Sequence, residues 1–211
     1  MREARQGAAN AGLRRKAGAA LACAWVLAGT IGAMAPAMAA TIHVKAERHG
    51  EFIDLEASAL LEADAATAWR VLTDYARYAE FIPDLHRSRV VERHGSTVTV
   101  EQSGDARLWL LHMPLELTFE ISESPPYRLQ SHAVAGSMHG LESSYQIVPA
   151  ASGIVLRYTG HVAPGFHLFG GIEEYAVRQN VTRQFQALAD EIERSAAASP
   201  PAVAGGPRDR H

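Results

Sequence analysis

Few side chains in this sequence have the type and spacing that chemistry demands, and the informative ones are phenols. Tyr145 and Tyr158 fall in neighbouring β-like segments, both in phase with the inward-facing positions. A buried phenol needs a hydrogen-bond partner, so these two either orient a ligand carbonyl or hydroxyl or bond to backbone or water. Arg107 is in phase with Trp109 and is either the partner of an anionic head group or a solvated residue at a strand end. The ten histidines are scattered, with no H-x-x-x-H or H-E-x-x-H pair and a single cysteine, Cys23, in the chain. No metal site is expected from that pattern. Gly136-Ser137-Met138-His139-Gly140 has its serine one place early for a nucleophile elbow and reads as a hairpin turn. Glu116 and Glu120 share a face, but the wet one, which argues against a general acid–base pair. Asn180-Val181-Thr182 matches a glycosylation triplet only by chance, because it falls in mid-helix. No catalytic residue and no cofactor is expected.

The elements that must position the phenols follow from periodicity. Strands are predicted over 42–47 and 52–61 around a His49-Gly50 turn, then a helix over 65–73 capped by Asp64. Asp74 is expected to cap a second short helix over 75–81, stopped by Pro83. β-like segments follow at 85–93, 97–103, 106–123, 127–135, 140–148 and 154–162, separated by turn signals that include Ser103-Gly104-Asp105. In the long 106–123 segment Trp109, Leu111, Met113, Leu115, Leu117, Phe119 and Ile121 take one face. His112, Pro114, Glu116, Thr118 and Glu120 take the other, and Pro114 marks an edge or a bulge. A final helix over 171–194 carries the stripe Val177, Val181, Phe185, Leu188 and Ile192, with Glu173 and Glu174 in its first turn. A sheet with one dry face must bury it, and this helix is the one long apolar stripe available. The fold class is therefore α+β: a curved antiparallel sheet wrapped around a long C-terminal helix, with a cavity between them.

Phase alone nominates the cavity-facing residues. The strands supply Trp109, Leu111, Met113, Leu129, Tyr145, Leu156 and Tyr158, and the helix supplies Val177, Val181 and Phe185. The segment 163–171 adds Phe166, Leu168 and Phe169 and is a gate, a membrane-touching tip or a hydrophobic plug. An apolar pocket with few polar groups is the usual form of a hydrophobic-ligand site, and plain core packing is the alternative for each residue.

The N-terminus bears on the compartment. Arg2, Arg5, Arg14, Arg15 and Lys16 precede an apolar stretch that closes on Pro36-Ala37-Met38-Ala39-Ala40, a secretory signal pattern over residues 1–40. A retained membrane anchor is the alternative, since about 20 apolar residues span a bilayer. The Arg14-Arg15 pair leaves the export route open between the general and twin-arginine pathways. The segment around Cys23 stays apolar on both sides, which is not a lipoprotein pattern. Removing five of the 20 bases and one of the 23 acids leaves 15 against 22, so the exported chain carries about −7 and no cysteine. That acidity excludes a nucleic-acid partner, and peripheral membrane contact stays open. The ordered domain is expected over 41–195, with 196–211, rich in Ala, Pro and Gly, as a disordered tail.

The stretch WRVLTDYARYAEFIPDLHRSRVVERHGSTVTVEQSG at 69–104 resembles the polyketide cyclase/dehydrase and coenzyme Q-binding branch of the START-like (SRPBCC) superfamily. The Trp69-x-x-Leu72-Thr73-Asp74-Tyr75 helix, the Phe81-Ile82-Pro83-Asp84-Leu85 exit and the Val100-Glu101-Gln102 strand carry the likeness, which continues more weakly through 140–158 and the last helix. The resemblance implies a helix-grip fold around a deep apolar cavity. It implies binding of a lipid, a quinone, an isoprenoid or another hydrophobic small molecule, without catalysis in most members. A cyclase or dehydratase using Tyr145, Tyr158 or Arg107, and an envelope interaction module with a filled pocket, are the other readings, because fold alone does not decide function.

Overall fold

The structure is a computed structural model that describes residues 40–108, 111–138, 140–163 and 172–199, without the side chains of 107, 108, 111 and 112. The expected signal segment up to residue 39, Trp109, the loop residues Phe166, Leu168 and Phe169, and the tail from residue 200 lie outside the described residues.

β1 (Ile42–His49) and β2 (Phe52–Leu61) form a hairpin in full register, Ile42 opposite Ala59 and His49 opposite Phe52. The inner face of β2 carries Ile53, Leu55, Ala57, Ala59 and Leu61, all buried. Helix α1 (Ala65–Thr73) starts where expected: the Asp64 carboxylate accepts the Thr67 backbone N–H at 2.7 Å, filling one of the unpaired donors of the first turn. The expected second helix is two pieces, a 3₁₀ turn (Tyr75–Arg77) and α2 (Tyr78–Phe81). Asp74 makes no side-chain cap there; its carboxylate lies 3.7 Å from the Arg77 guanidinium instead. Ile82 is extended before Pro83, whose ring disfavours a helical predecessor.

β3 (Leu85–His94), β4 (Thr97–Leu108), β5 (Leu111–Ser124), β6 (Arg128–Gly136), β7 (Leu141–Ala150) and β8 (Gly153–Val162) complete an eight-stranded sheet. Its order is β1-β2-β8-β7-β6-β5-β4-β3, every neighbour antiparallel. One boundary differs from expectation. Ser103-Gly104-Asp105 is no turn but the middle of β4, which runs on to Leu108 and pairs with Leu111 of β5. Glycine is needed at 104 for close approach, not for a bend: a Cβ there would sit 2.3 Å from the Asp84 carbonyl oxygen, which accepts the Asp105 N–H at 2.8 Å. Pro114 falls where β5 extends past the end of β6, whose pairing begins at Leu117 opposite Gly136. It therefore has a strand beside it on the β4 side only among the described residues, which suits a residue without an N–H.

Helix α3 (Ile172–Ala198) packs across the inner face of this sheet, the helix-grip arrangement expected from the sequence. It continues past Arg194 through the alanines 196–198, good helix formers, into the segment expected to be tail. Its far half is packed: Phe185, Leu188, Ala189 and Ile192 bury against α1 and the inner faces of β2 and β8. Its start is tied to β1 by an ion pair between Arg48 and the buried Glu173.

Candidate functional site

A twisted sheet cannot follow a straight helix along its whole length, and here the gap opens under the first half of α3. The resulting cavity has a volume of about 280 Å³, near the lower end of the roughly 300–1,000 Å³ common for ligand pockets. β5 makes its longest wall with Met113, Leu115, Leu117, Phe119 and Ile121, the alternate residues of one strand. Val177 and Val181, one helical turn apart, form the roof with Asn180 and Gln184. Leu55, Leu129, Leu141 and Val162 add apolar surface from four further strands.

Six of the residues nominated by phase line this cavity together: Met113, Leu129, Tyr145, Tyr158, Val177 and Val181. Phase put Phe185 and Leu156 there too, and they stand outside the lining as fully buried core. The reason is local. Ala57 and Ala59 on β2, Ala68 on α1 and Ala189 on α3 are small, so the helix closes on the sheet at that end and Phe185 fills the remaining space. The side chains of Arg107 and Leu111, and all of Trp109, Phe166 and Phe169, fall outside the described residues.

One polar wall of the site comes from the adjacent strands β6, β7 and β8, and Gln102, Ser103 and Asp105 of β4 add a second. Tyr145 and Tyr158 are directly opposite in the β7–β8 register, their ring centroids 4.9 Å apart. Burial pushes the Tyr145 hydroxyl well above the ordinary phenol range, reinforced by Tyr158 and Tyr78. Burial likewise lifts Tyr158 to about 12, while a hydrogen bond with the Ser143 side chain pulls it back. Both phenols are therefore protonated, and both are donors, throughout the physiological range. Ser143 continues the chain to Ser131, oxygen to oxygen 2.7 Å. Gly160 makes this possible: a Cβ there would lie 2.7 Å from the Tyr158 hydroxyl, so the ring uses the space over the glycine.

Tyr75 and Tyr78 also line the cavity, yet their hydroxyls are engaged elsewhere. Tyr75 donates to Glu123 at 3.0 Å, on a carboxylate that Arg93 also holds, and Tyr78 donates to the Leu72 carbonyl at 2.7 Å. By contrast, Tyr145 has no hydroxyl partner among the described residues. At one end of the cavity Asp84, in a left-handed conformation with φ 64°, receives the Arg183 guanidinium at 3.0 Å, and Arg183 also reaches Asn180 at 3.1 Å. Sequence reasoning missed Ser131, Ser143, Asp84 and Asn180. Phase would have found two of them, since Ser131 is in step with Leu129 and Ser143 with Tyr145. No cluster of metal-ligating side chains is present among the described residues.

The family model described as polyketide cyclase/dehydrase and lipid transport matches residues 61–189, from the end of β2 to the packed half of α3. Solved structures share the fold at low identity. A STAR-related lipid transfer protein from Xanthomonas axonopodis is 15% identical with a TM-score of 0.59, over 74% of this chain and 94% of that one. The Zhui aromatase/cyclase from a Streptomyces species is 15% identical with a TM-score of 0.57, over 75% of this chain and 100% of that one. A START superfamily protein from Mycobacterium smegmatis is 13% identical with a TM-score of 0.56, over 68% and 97%. No curated protein matches the sequence.

Proposed function

The chain belongs to the polyketide cyclase/dehydrase and lipid transport family, and from that premise we propose that it binds a hydrophobic small molecule or lipid in the cavity under α3 and carries it without changing it. The observation that supports this best is the composition of the walls. A cavity of about 280 Å³ is faced by alternate apolar residues of β5 and by Val177 and Val181, with a few hydroxyls at one side. Empty apolar space costs stability, so an open cavity of this kind suits a guest better than a pocket filled by its own side chains, as an interaction module would have. Quinones, isoprenoids and fatty-acyl compounds are the ligand types in view. Carriage would take place outside the cytoplasmic membrane, after loss of residues 1–40 or with that segment retained as an anchor.

Native mass spectrometry of the protein isolated from a bacterial envelope fraction, followed by organic extraction, tests both parts. A co-purifying lipid-sized mass supports carriage, and a chain shortened by the first forty residues supports export with cleavage. Failure of any hydrophobic ligand to shift the protein mass would count against carriage; an intact chain in the cytoplasm would count against export.

A cyclase or dehydratase reading has one observation in its favour, two protonated phenols inside the cavity that can polarise a carbonyl. Conversion of an added poly-β-ketone, lost in Tyr145→Phe and Tyr158→Phe, would establish it over carriage.

A further inference from the structure

We infer that β1 is a self-pairing edge: a second copy of this chain docks its own β1 there, antiparallel, about a two-fold axis at Ala46. The two edges of the sheet are built differently. β3 carries two register shifts, between Leu85 and Arg87 and between Val90 and Glu92, and such irregularities turn an edge away from an incoming strand. β1 keeps full register from Ile42 to His49, contains no proline and has no strand on its outer side among the described residues. The turn that follows it has two residues, Gly50 at φ 64° and Glu51, and closes on His49 and Phe52. A two-residue turn is flanked by a pair that exchanges both backbone hydrogen bonds, and such pairs alternate along the ladder. His43, Lys45, Glu47 and His49 therefore bond to β2, whereas Ile42, Val44, Ala46 and Arg48 aim their backbone groups out of the open edge. Ile42 and Val44 pack on the core, and Arg48 is tied to Glu173 of α3, so the edge is presented as a preformed strand with little left to order on pairing.

Charge then chooses the partner and the register. With the axis at Ala46, Ala46 faces Ala46 of the second copy and Val44 faces its Arg48, which matches open edge groups with open edge groups. Lys45 falls opposite Glu47 of the second copy, and Glu47 opposite its Lys45, at positions where cross-strand side chains stand closest. An axis at Lys45 or at Glu47 would set like charges against each other, and one at Val44 would leave Lys45 facing His43. Both side chains are accessible, 62% and 52% exposed, and they form a 2.7 Å salt bridge within each chain. Pairing completes a ring of four alternating charges. Glu47 also gains an ammonium on the side away from Asp54, its carboxylate neighbour on β2, while Lys45 keeps Glu56 beside it. The sequence of this strand is thus complementary to itself, as a two-fold interface requires.

None of these residues lines the cavity, so the surface is independent of the ligand site.

Sedimentation velocity on the full chain as a bacterial host delivers it, from about 1 μM to about 1 mM, tests the pairing. A dimer whose fraction rises with concentration is expected. Lys45→Glu and Glu47→Lys should each weaken it about tenfold or more, because each change acts twice across the axis. The exchanged variant Lys45→Glu/Glu47→Lys should pair with itself as the parent does and refuse the parent chain. Ala46→Pro removes the central N–H, a loss an edge strand tolerates, so the dimer should disappear while the urea midpoint stays near that of the parent. Should the proline variant fold poorly, the charge variants at exposed positions carry the test alone. A parent chain that stays monomeric throughout, single charge variants that leave the dimer unchanged, or an exchanged variant that does not pair with itself overturns the proposal.

Discussion

The two halves of α3 meet the same sheet and do opposite things. In the half that carries Phe185, Ala189 and Ile192, the helix is buried in one core with Ala57, Ala59 and Leu156, and Leu188 stands at the border with the cavity. In the half that carries Val177, Asn180, Val181 and Gln184, it faces the long inner wall of β5 and the hydroxyls of β6, β7 and β8 across a cavity. Alanines on helix and sheet let the backbones approach in the first half, where Phe185 fills the remaining space; in the second, Val177 and Val181 pack on Ile53, Leu55 and Val162 at the edge of the cavity. Packing against the sheet in the first half stabilises the fold, so the second can remain open. Stability and binding are thereby separated along one helix, and substitutions in the two halves should have different readouts.

The largest effect is expected from Phe185→Ala in the closed half. Emptying a site this completely buried costs about 3–5 kcal/mol, read as a lower midpoint in urea denaturation. A midpoint near that of the parent chain would mean the halves are not energetically distinct.

Adding volume sharpens the contrast. Ala189→Phe should overpack the closed half and cost about 1–3 kcal/mol. Val181→Phe, the same kind of addition beside the cavity, should cost less than Ala189→Phe while binding of naphthalene, a small apolar probe, falls by about tenfold. Equal destabilisation by both would sink the comparison.

Alkaline titration probes the open half from another side. The phenol of Tyr158 is raised from 10 in the unfolded chain to about 12 in the fold. A raised pKa stabilises the fold fully below pH 10, and that contribution is lost as pH climbs from 10 to about 12, because the unfolded chain ionises first. Tyr158→Phe should therefore lose less stability than the parent between pH 10 and about 12, in parallel denaturation series across that window. An unchanged pH dependence would show that the phenol is not buried in the row described.

The smallest effect on stability is expected from Gly160→Ala. The new methyl would press the Tyr158 hydroxyl away from Ser143, within about 1 kcal/mol of the parent stability, since a side chain and not backbone must yield. Binding of an aromatic ketone such as acetonaphthone should nevertheless fall a few-fold, about the loss of one hydrogen bond, and unimpaired binding would free Gly160 of this role.

The elements on both sides of this division were legible in the sequence, though the division itself was not, since phase placed Phe185 and Leu156 in the cavity. The 2-residue alternation of Met113 to Ile121 placed one face of β5 inward, and the stripe from Val177 to Ile192 identified the covering helix, because periodicity is a local property of the chain. The Asp64 cap was legible for the same reason, and so was the likeness of 69–104 to a known family. The Gly104 signal misled, since glycine marks a bend and a close approach alike, and only the Asp84 carbonyl above it tells them apart.

The sequence by itself determined which elements form and which face of each is dry, since both depend on neighbours a few residues apart. It could not say where the dry faces touch and where they stand off. That is decided by residues distant in sequence: Ala57 with Ala189 closes one end, while Ser131, Ser143 and Tyr158 meet in a row only because three strands align in register. Register and helix placement balance twist, side-chain volume and hydrogen bonding over the whole sheet, so the boundary between core and cavity belongs to the tertiary structure alone.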